Sequence, residues 1–136
     1  MKRLVSVVLL VVMILTVCAT AFADDHRFST PALKKDANYS TGKFSKTTKT
    51  GSAAYVSTSS MTPNATFHFR VWRSSSYQAS NGARITGEGS ANLTTLKDDY
   101  GNSRLRQGDK YSYFLKATHS TYSKVNEASC SGQWRP

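Results

Sequence analysis

The chain has 136 residues, with 18 Lys and Arg against 8 Asp and Glu, and only 2 Cys. That length suits one domain with one core, and a net charge of +10 predicts attraction to polyanions through counterion release and long-range steering. Two cysteines exclude a disulfide-stapled framework, and eight carboxylates, most of them in evident turns, leave little material for paired-acid hydrolysis.

Residues 1–23 read as a signal-peptide helix. Lys2 and Arg3 form a positive start, and Leu4 to Val17 is apolar apart from Ser6 and Thr16. Ala21-Phe22-Ala23 then offers small residues where a signal peptidase reads them, which places cleavage between Ala23 and Asp24. An uncleaved anchor is disfavoured because the apolar run sits near the lower limit for spanning a bilayer. A lipoprotein cleaved at Cys18 is disfavoured because bulky Val17 stands where that peptidase requires a small residue. The expected location is outside the cell, either released or attached to the wall. Without Lys2 and Arg3, the released chain keeps 16 basic residues against 8 acidic ones, a surplus of +8. Cys130 is then the only thiol, so no intramolecular disulfide is expected.

Residues 24–51 are polar and carry Lys34, Lys35, Lys43, Lys46 and Lys49 among few apolar residues. Pro31 argues against a helix and Ser40-Thr41-Gly42 against continuity, so this segment is expected to be a basic arm or a set of weak edge strands. Lysines on an edge also discourage pairing with other chains. From residue 52 to 136 the pattern is β. Ala54, Val56 and Thr58 alternate with Tyr55 and Ser57, and Met61-Thr62-Pro63-Asn64 makes a turn. Phe67, Phe69 and Val71 then share one face, opposite His68, Arg70 and Trp72. Such alternation predicts a strand with one buried and one wet side. Arg84-Ile85-Thr86 reads as a strand centre, Gly87-Glu88-Gly89 as a bulge or turn, and 90–96 as another strand. Asp98 to Asn102 is a loop, Arg104-Leu105-Arg106 a short strand, and Gln107-Gly108-Asp109 a turn. Tyr111, Tyr113, Leu115 and Ala117 then mark one face of a strand over 110–118, and Ala128, Cys130, Gly132 and Trp134 one face of a last strand.

Strand-like runs about ten residues apart, with no sustained helical period, predict an all-β antiparallel sandwich of immunoglobulin-like or jelly-roll-like kind. The expected core is Tyr55 or Val56 with Phe67, Phe69, Val71, Ile85, Leu93, Tyr113, Leu115 and Trp134.

The chemistry-bearing residues are sparse. His26, His68, His119 and Cys130 are scattered, and Asp98, Asp99 and Asn102 lack a further oxygen ligand at loop spacing, so no metal site and no cofactor are expected. Catalysis by Cys130 needs a base to generate thiolate, yet its strand parity suits a small buried side chain. Binding is the better class. Trp72 with Arg70 and His68 makes an aromatic and polar strand face of the sort that grips sugars or stacks bases, although its spacing does not match an RNA-recognition sheet. Arg104 and Arg106, with Lys43, Lys46 and Lys49, form a candidate patch for an anionic wall polymer or membrane surface. Solubility alone is the competing explanation of the charge.

The ending Ser131-Gly132-Gln133-Trp134-Arg135-Pro136, the Ala54-Tyr55-Val56 element and the strand that follows Gly108 resemble a group of small exported proteins of Gram-positive bacteria that close on Ser-Gly-x-Trp-x-Pro. The resemblance implies export and a β-rich fold and carries no functional residue across. In size, charge and lack of disulfides the chain is also similar to lactococcin 972-type bacteriocins, which implies an antibacterial effector as the alternative function. A secreted hydrolase is a third, less favoured class.

Overall fold

Residue 67 begins the pattern that organises the molecule. Phe67, Phe69 and Val71 are fully buried, and each lies across from a buried residue of a neighbouring strand: His119, Ala117 and Leu115 respectively. A slip of one residue would put Arg70 and Trp72 into that face, so the pairing register is fixed by burial. In the computed structural model, which describes residues 25–136, these two strands are β6 (Thr66–Ser74) and β10 (Gly108–His119), numbered in chain order. The leader over 1–23 and its cleavage point at Ala23 and Asp24 lie outside the described residues.

β6 and β10 are the centre of a six-stranded sheet. The far edge of β10 takes β3 (Asn38–Ser40) and then β4 (Phe44–Lys46), while the far edge of β6 takes β7 (Tyr77–Gln78) and β8 (Ala83–Thr86). A four-stranded sheet runs in the order β1 (His26–Ser29), β12 (Cys130–Arg135), β5 (Ala54–Met61), β9 (Gly89–Leu93). A small third sheet joins β2 (Leu33–Lys34) to β11 (Glu127–Ala128). Every pairing is antiparallel, neither large sheet closes into a barrel, and the described residues contain no helix.

Inward residues of both large sheets belong to one core. Phe28 of β1 meets Phe69 edge-on at 5.8 Å between ring centroids, and Phe44 of β4 meets Trp134 of β12 at 6.0 Å. Val56, Ile85, Leu93, Tyr113 and Trp134 are buried with them, as the alternation predicts. The β5–β12 pairing shifts register between Ser131 and Gly132, and a Cβ at Gly132 would collide with the Ser57 carbonyl. Only glycine lets the two backbones approach there.

Residues 25–51 supply β1 to β4. Each edge strand is short and has few apolar residues, but Phe28 and Leu33 enter the core. Three expectations need correction. Arg104-Leu105-Arg106 is a bend rather than a strand, and β10 starts at Gly108 inside the segment read as a turn. The β4–β10 register shifts between Gly108 and Ser112, and Gly108 holds φ at 114°, so a bulge absorbs the turn signal. Third, Lys46 is not an exposed arm residue. It is completely buried, and its ammonium donates to the Thr48 hydroxyl at 2.6 Å.

Candidate anion-binding site

The bend at 104–106 owes its shape to Leu105, which is fully buried. Its N–H donates to the Thr95 hydroxyl at 3.0 Å, and its carbonyl accepts from Gly51 N–H at 2.9 Å. The buried Tyr113 hydroxyl donates to the Arg104 carbonyl at 2.9 Å and accepts from Arg106 N–H at 2.8 Å. One phenol thus clamps the backbone on either side of Leu105 and turns both arginines out of the core.

Those arginines, together with Arg73, meet two aromatic rings, one from β7 and one from β10. The Arg104 guanidinium carbon lies 4.8 Å from the centre of Tyr77 on β7. Arg73, at the end of β6, lies 6.0 Å from Tyr77 and 4.9 Å from Tyr111 on β10. Arg106 lies 5.7 Å from Tyr111. The order is Arg104, Tyr77, Arg73, Tyr111, Arg106, a ladder in which each guanidinium sits near a ring. Each such contact contributes roughly 0.5–1 kcal/mol at an exposed site, which holds the cations in fixed places without neutralising them.

The ladder carries three guanidiniums and one carboxylate. Asp98 accepts from Arg106 Nη2 at 2.9 Å, and also from the backbone N–H groups of Tyr100 (3.0 Å) and Asn102 (2.8 Å). Desolvation acts against its ionised form, but those hydrogen bonds and the Arg106 charge outweigh it and hold the carboxyl below its usual range. The Tyr111 phenol is pushed down by its hydrogen bond with Arg106, then by the charges of Arg106, Arg73 and Lys110. Arg106 is correspondingly pushed up, first by the Tyr111 hydrogen bond. Arg104 gives one N–H to the Gln78 carbonyl at 2.9 Å, while its buried Nε has no hydrogen-bond partner among the described residues.

A second cationic region lies on the outer face of the six-stranded sheet. Lys116 and Arg70 stand directly across the β6–β10 pairing, and the Lys116 ammonium sits 4.6 Å from the centre of Trp72. Like charges directly opposite are destabilising, so this pair is a local cost of the fold that an anion would offset. Among the described residues the ion pairs are Arg106 with Asp98 and Arg135 with Asp25, and neither engages Arg70 or Lys116.

The structure therefore separates the expected site residues. Arg104 and Arg106 join one ladder, while Arg70 and Trp72 belong to the outer sheet face. Lys43 and Lys49 are exposed. The turn holding Lys49 is tied beside the 104–107 segment by Gln107 N–H donating to Thr50 Oγ1 at 2.9 Å and by Gln107 Nε2 donating to the Thr47 carbonyl at 2.7 Å. Buried Lys46 cannot touch a polymer. Cys130 is buried with its thiol pushed up to about 12 by desolvation, which removes the thiolate that a nucleophile needs. Sequence reasoning missed Arg73, Tyr77, Tyr111 and Lys116. The available signal was the placement of Arg73 just past the β6 alternation and of Tyr111 at the start of the next one, which sets both at one end of the same sheet. Comparison with protein-family models, with curated proteins and with solved structures finds no match.

Proposed function

We propose that this is an exported, non-enzymatic protein that adheres to an anionic polymer of the cell envelope. The reading takes residues 1–23 as a removed signal peptide and the two large sheets as a sandwich that carries cationic surfaces at its end and on one face. The observation that carries it is the ladder, which fixes Arg104, Arg73 and Arg106 by ring contacts and sets one carboxylate against three cations. Fixed guanidiniums suit phosphate or carboxylate groups better than mobile lysines, because their planar donor fork is already ordered. Resemblance to small exported proteins of Gram-positive bacteria agrees with a wall polymer as the partner.

Retention on purified wall polymer tests the reading. Arg73→Gln and Arg106→Gln should each weaken retention severalfold at low salt while thermal melts stay near those of the parent, since Arg73 is exposed and Arg106 half-buried. Retention unaffected by both would overturn the ladder as the contact. A zone of inhibition on a lawn of susceptible cells, with no retention on polymer, would favour the bacteriocin-like alternative.

A further inference from the structure

A cavity of about 470 Å³ opens at the opposite end of β6 from the ladder, lined by Asn64, Thr66, Arg84, Thr86, Tyr122 and Lys124. Thr66 opens β6, Arg84 and Thr86 lie on β8, and Tyr122 and Lys124 belong to the turn after β10. Hydrogen bonds fix that turn in place. Thr66 N–H donates to Ser123 Oγ at 3.3 Å, Ser120 N–H to the Thr66 carbonyl at 2.9 Å, and Lys124 N–H to the Asn64 carbonyl at 3.2 Å. Asn64 holds φ at 62°, a left-handed conformation that asparagine tolerates better than most residues.

The chemistry inside is one-sided. The Arg84 guanidinium lies 4.4 Å from the centre of the Tyr122 ring, which orders its plane and uses none of its N–H groups. Among the described residues no carboxylate pairs with Arg84 or Lys124. The Thr66 and Thr86 hydroxyls are 2.8 Å apart, so their mutual bond consumes one proton and leaves the other for a ligand. Tyr122 is 71% exposed, an amphipathic surface against which a polyol or sugar can rest. His68 faces Arg84 across the β6–β8 pairing. Its imidazole is pushed down by burial, then by the charges of Arg70 and Arg84.

We infer that this cavity binds a phosphate ester of a polyol or sugar, with the phosphate between Arg84 and Lys124 and the carbon skeleton against Tyr122. Two unpaired cations and a free hydroxyl proton match a tetrahedral, multiply accepting anion better than a lone carboxylate. The volume suits one such unit. The site stands on its own residues and does not depend on the ladder.

Two-dimensional NMR of the chain as the expressing cell releases it tests this, with glycerol 3-phosphate as the soluble probe. Glycerol, and sodium chloride at matched ionic strength, are the controls. Saturable shifts at Thr86, Tyr122 and Lys124 are expected, together with a rise in the His68 pKa as the phosphate offsets Arg84. Arg84→Gln should weaken binding about tenfold or more, while Arg73→Gln in the ladder leaves it unchanged. Vesicles of phosphatidylglycerol, compared with phosphatidylcholine, separate the sources: binding to the former without binding to the soluble ester assigns the phosphate to a lipid headgroup. Shifts equal to those from sodium chloride, or confined to the ladder, would overturn the site. That result would leave polymer retention through the ladder standing.

Discussion

Gly132 shows how one residue sets the contact between two strands. A Cβ there meets the Ser57 carbonyl, which is backbone and cannot rotate away. Gly132→Ala should therefore lower stability by about 2 kcal/mol or more, as overpacking does, read as a lower midpoint in thermal melts. Tyr113 acts at a distance from its own ring. Tyr113→Phe leaves the Arg104 carbonyl and Arg106 N–H without their shared partner and should cost about 1–2 kcal/mol. It should also weaken polymer retention, because the bend that presents both arginines is no longer clamped. His68 supplies a pH signature. Its folded-state pKa lies below the ordinary 6.5, so the unfolded chain takes up the proton first. Its contribution to stability is then intact above about 6.5 and is lost as pH falls through the folded pKa. His68→Gln should flatten that part of the curve of melting temperature against pH, and an unchanged curve would assign the loss to other groups.

At the scale of elements, what the sequence reveals depends on how much of a strand's pairing is decided by its own side chains. β6 and β10 alternate because one face of each is buried over the stretch where they pair, Phe67 to Val71 and Tyr113 to His119, and so their faces and core residues were legible. β1 to β4 were not separable from a loose arm, since a two- to four-residue edge strand is held by its neighbour's backbone more than by its own pattern. β7 is two residues long and left no pattern at all. The ladder was half legible for a related reason. Arg104 and Arg106 are near one another in sequence, but Arg73, Tyr77 and Tyr111 reach them only through the β6–β7 and β6–β10 pairings. Lys46 shows the opposite failure, a charge that looked solvated and is buried at the end of β4. Exposed Lys43→Gln and Lys49→Gln should leave the melting temperature unchanged. Lys46→Ala removes a buried charged donor and should cost about 1.5–3 kcal/mol. A triple substitution would confuse lost attraction with lost folding, so the single variants are the ones to compare by circular dichroism and by retention.

For the whole molecule the spacing of the cationic sites matters more than the total charge. The ladder gathers at Arg73 near the end of β6, and the Arg84 cavity opens beside Thr66 at its start. Seven residue steps of extended strand separate the two by about 23 Å. Arg70 and Lys116 lie between them on the outer face. A short anion can occupy one site at a time, whereas a long polyphosphate can reach both, and its second contact forms at high effective concentration. Polymer affinity should then exceed that of glycerol 3-phosphate by orders of magnitude. Each neutralised phosphate releases a counterion, so log affinity should fall linearly with log salt by roughly 0.7–0.9 per contact if wall polymer behaves as nucleic acid does. Arg73→Gln and Arg84→Gln should each reduce the slope, and the double variant should reduce it by their sum, because the sites are too far apart to share a partner. A simple solubility charge predicts something different: every lysine or arginine would matter equally, and Lys43→Gln would change the slope as much as Arg73→Gln. Retention measured across a salt series for these variants distinguishes the two, and equal slopes throughout would reduce the ladder and the cavity to ordinary surface charge.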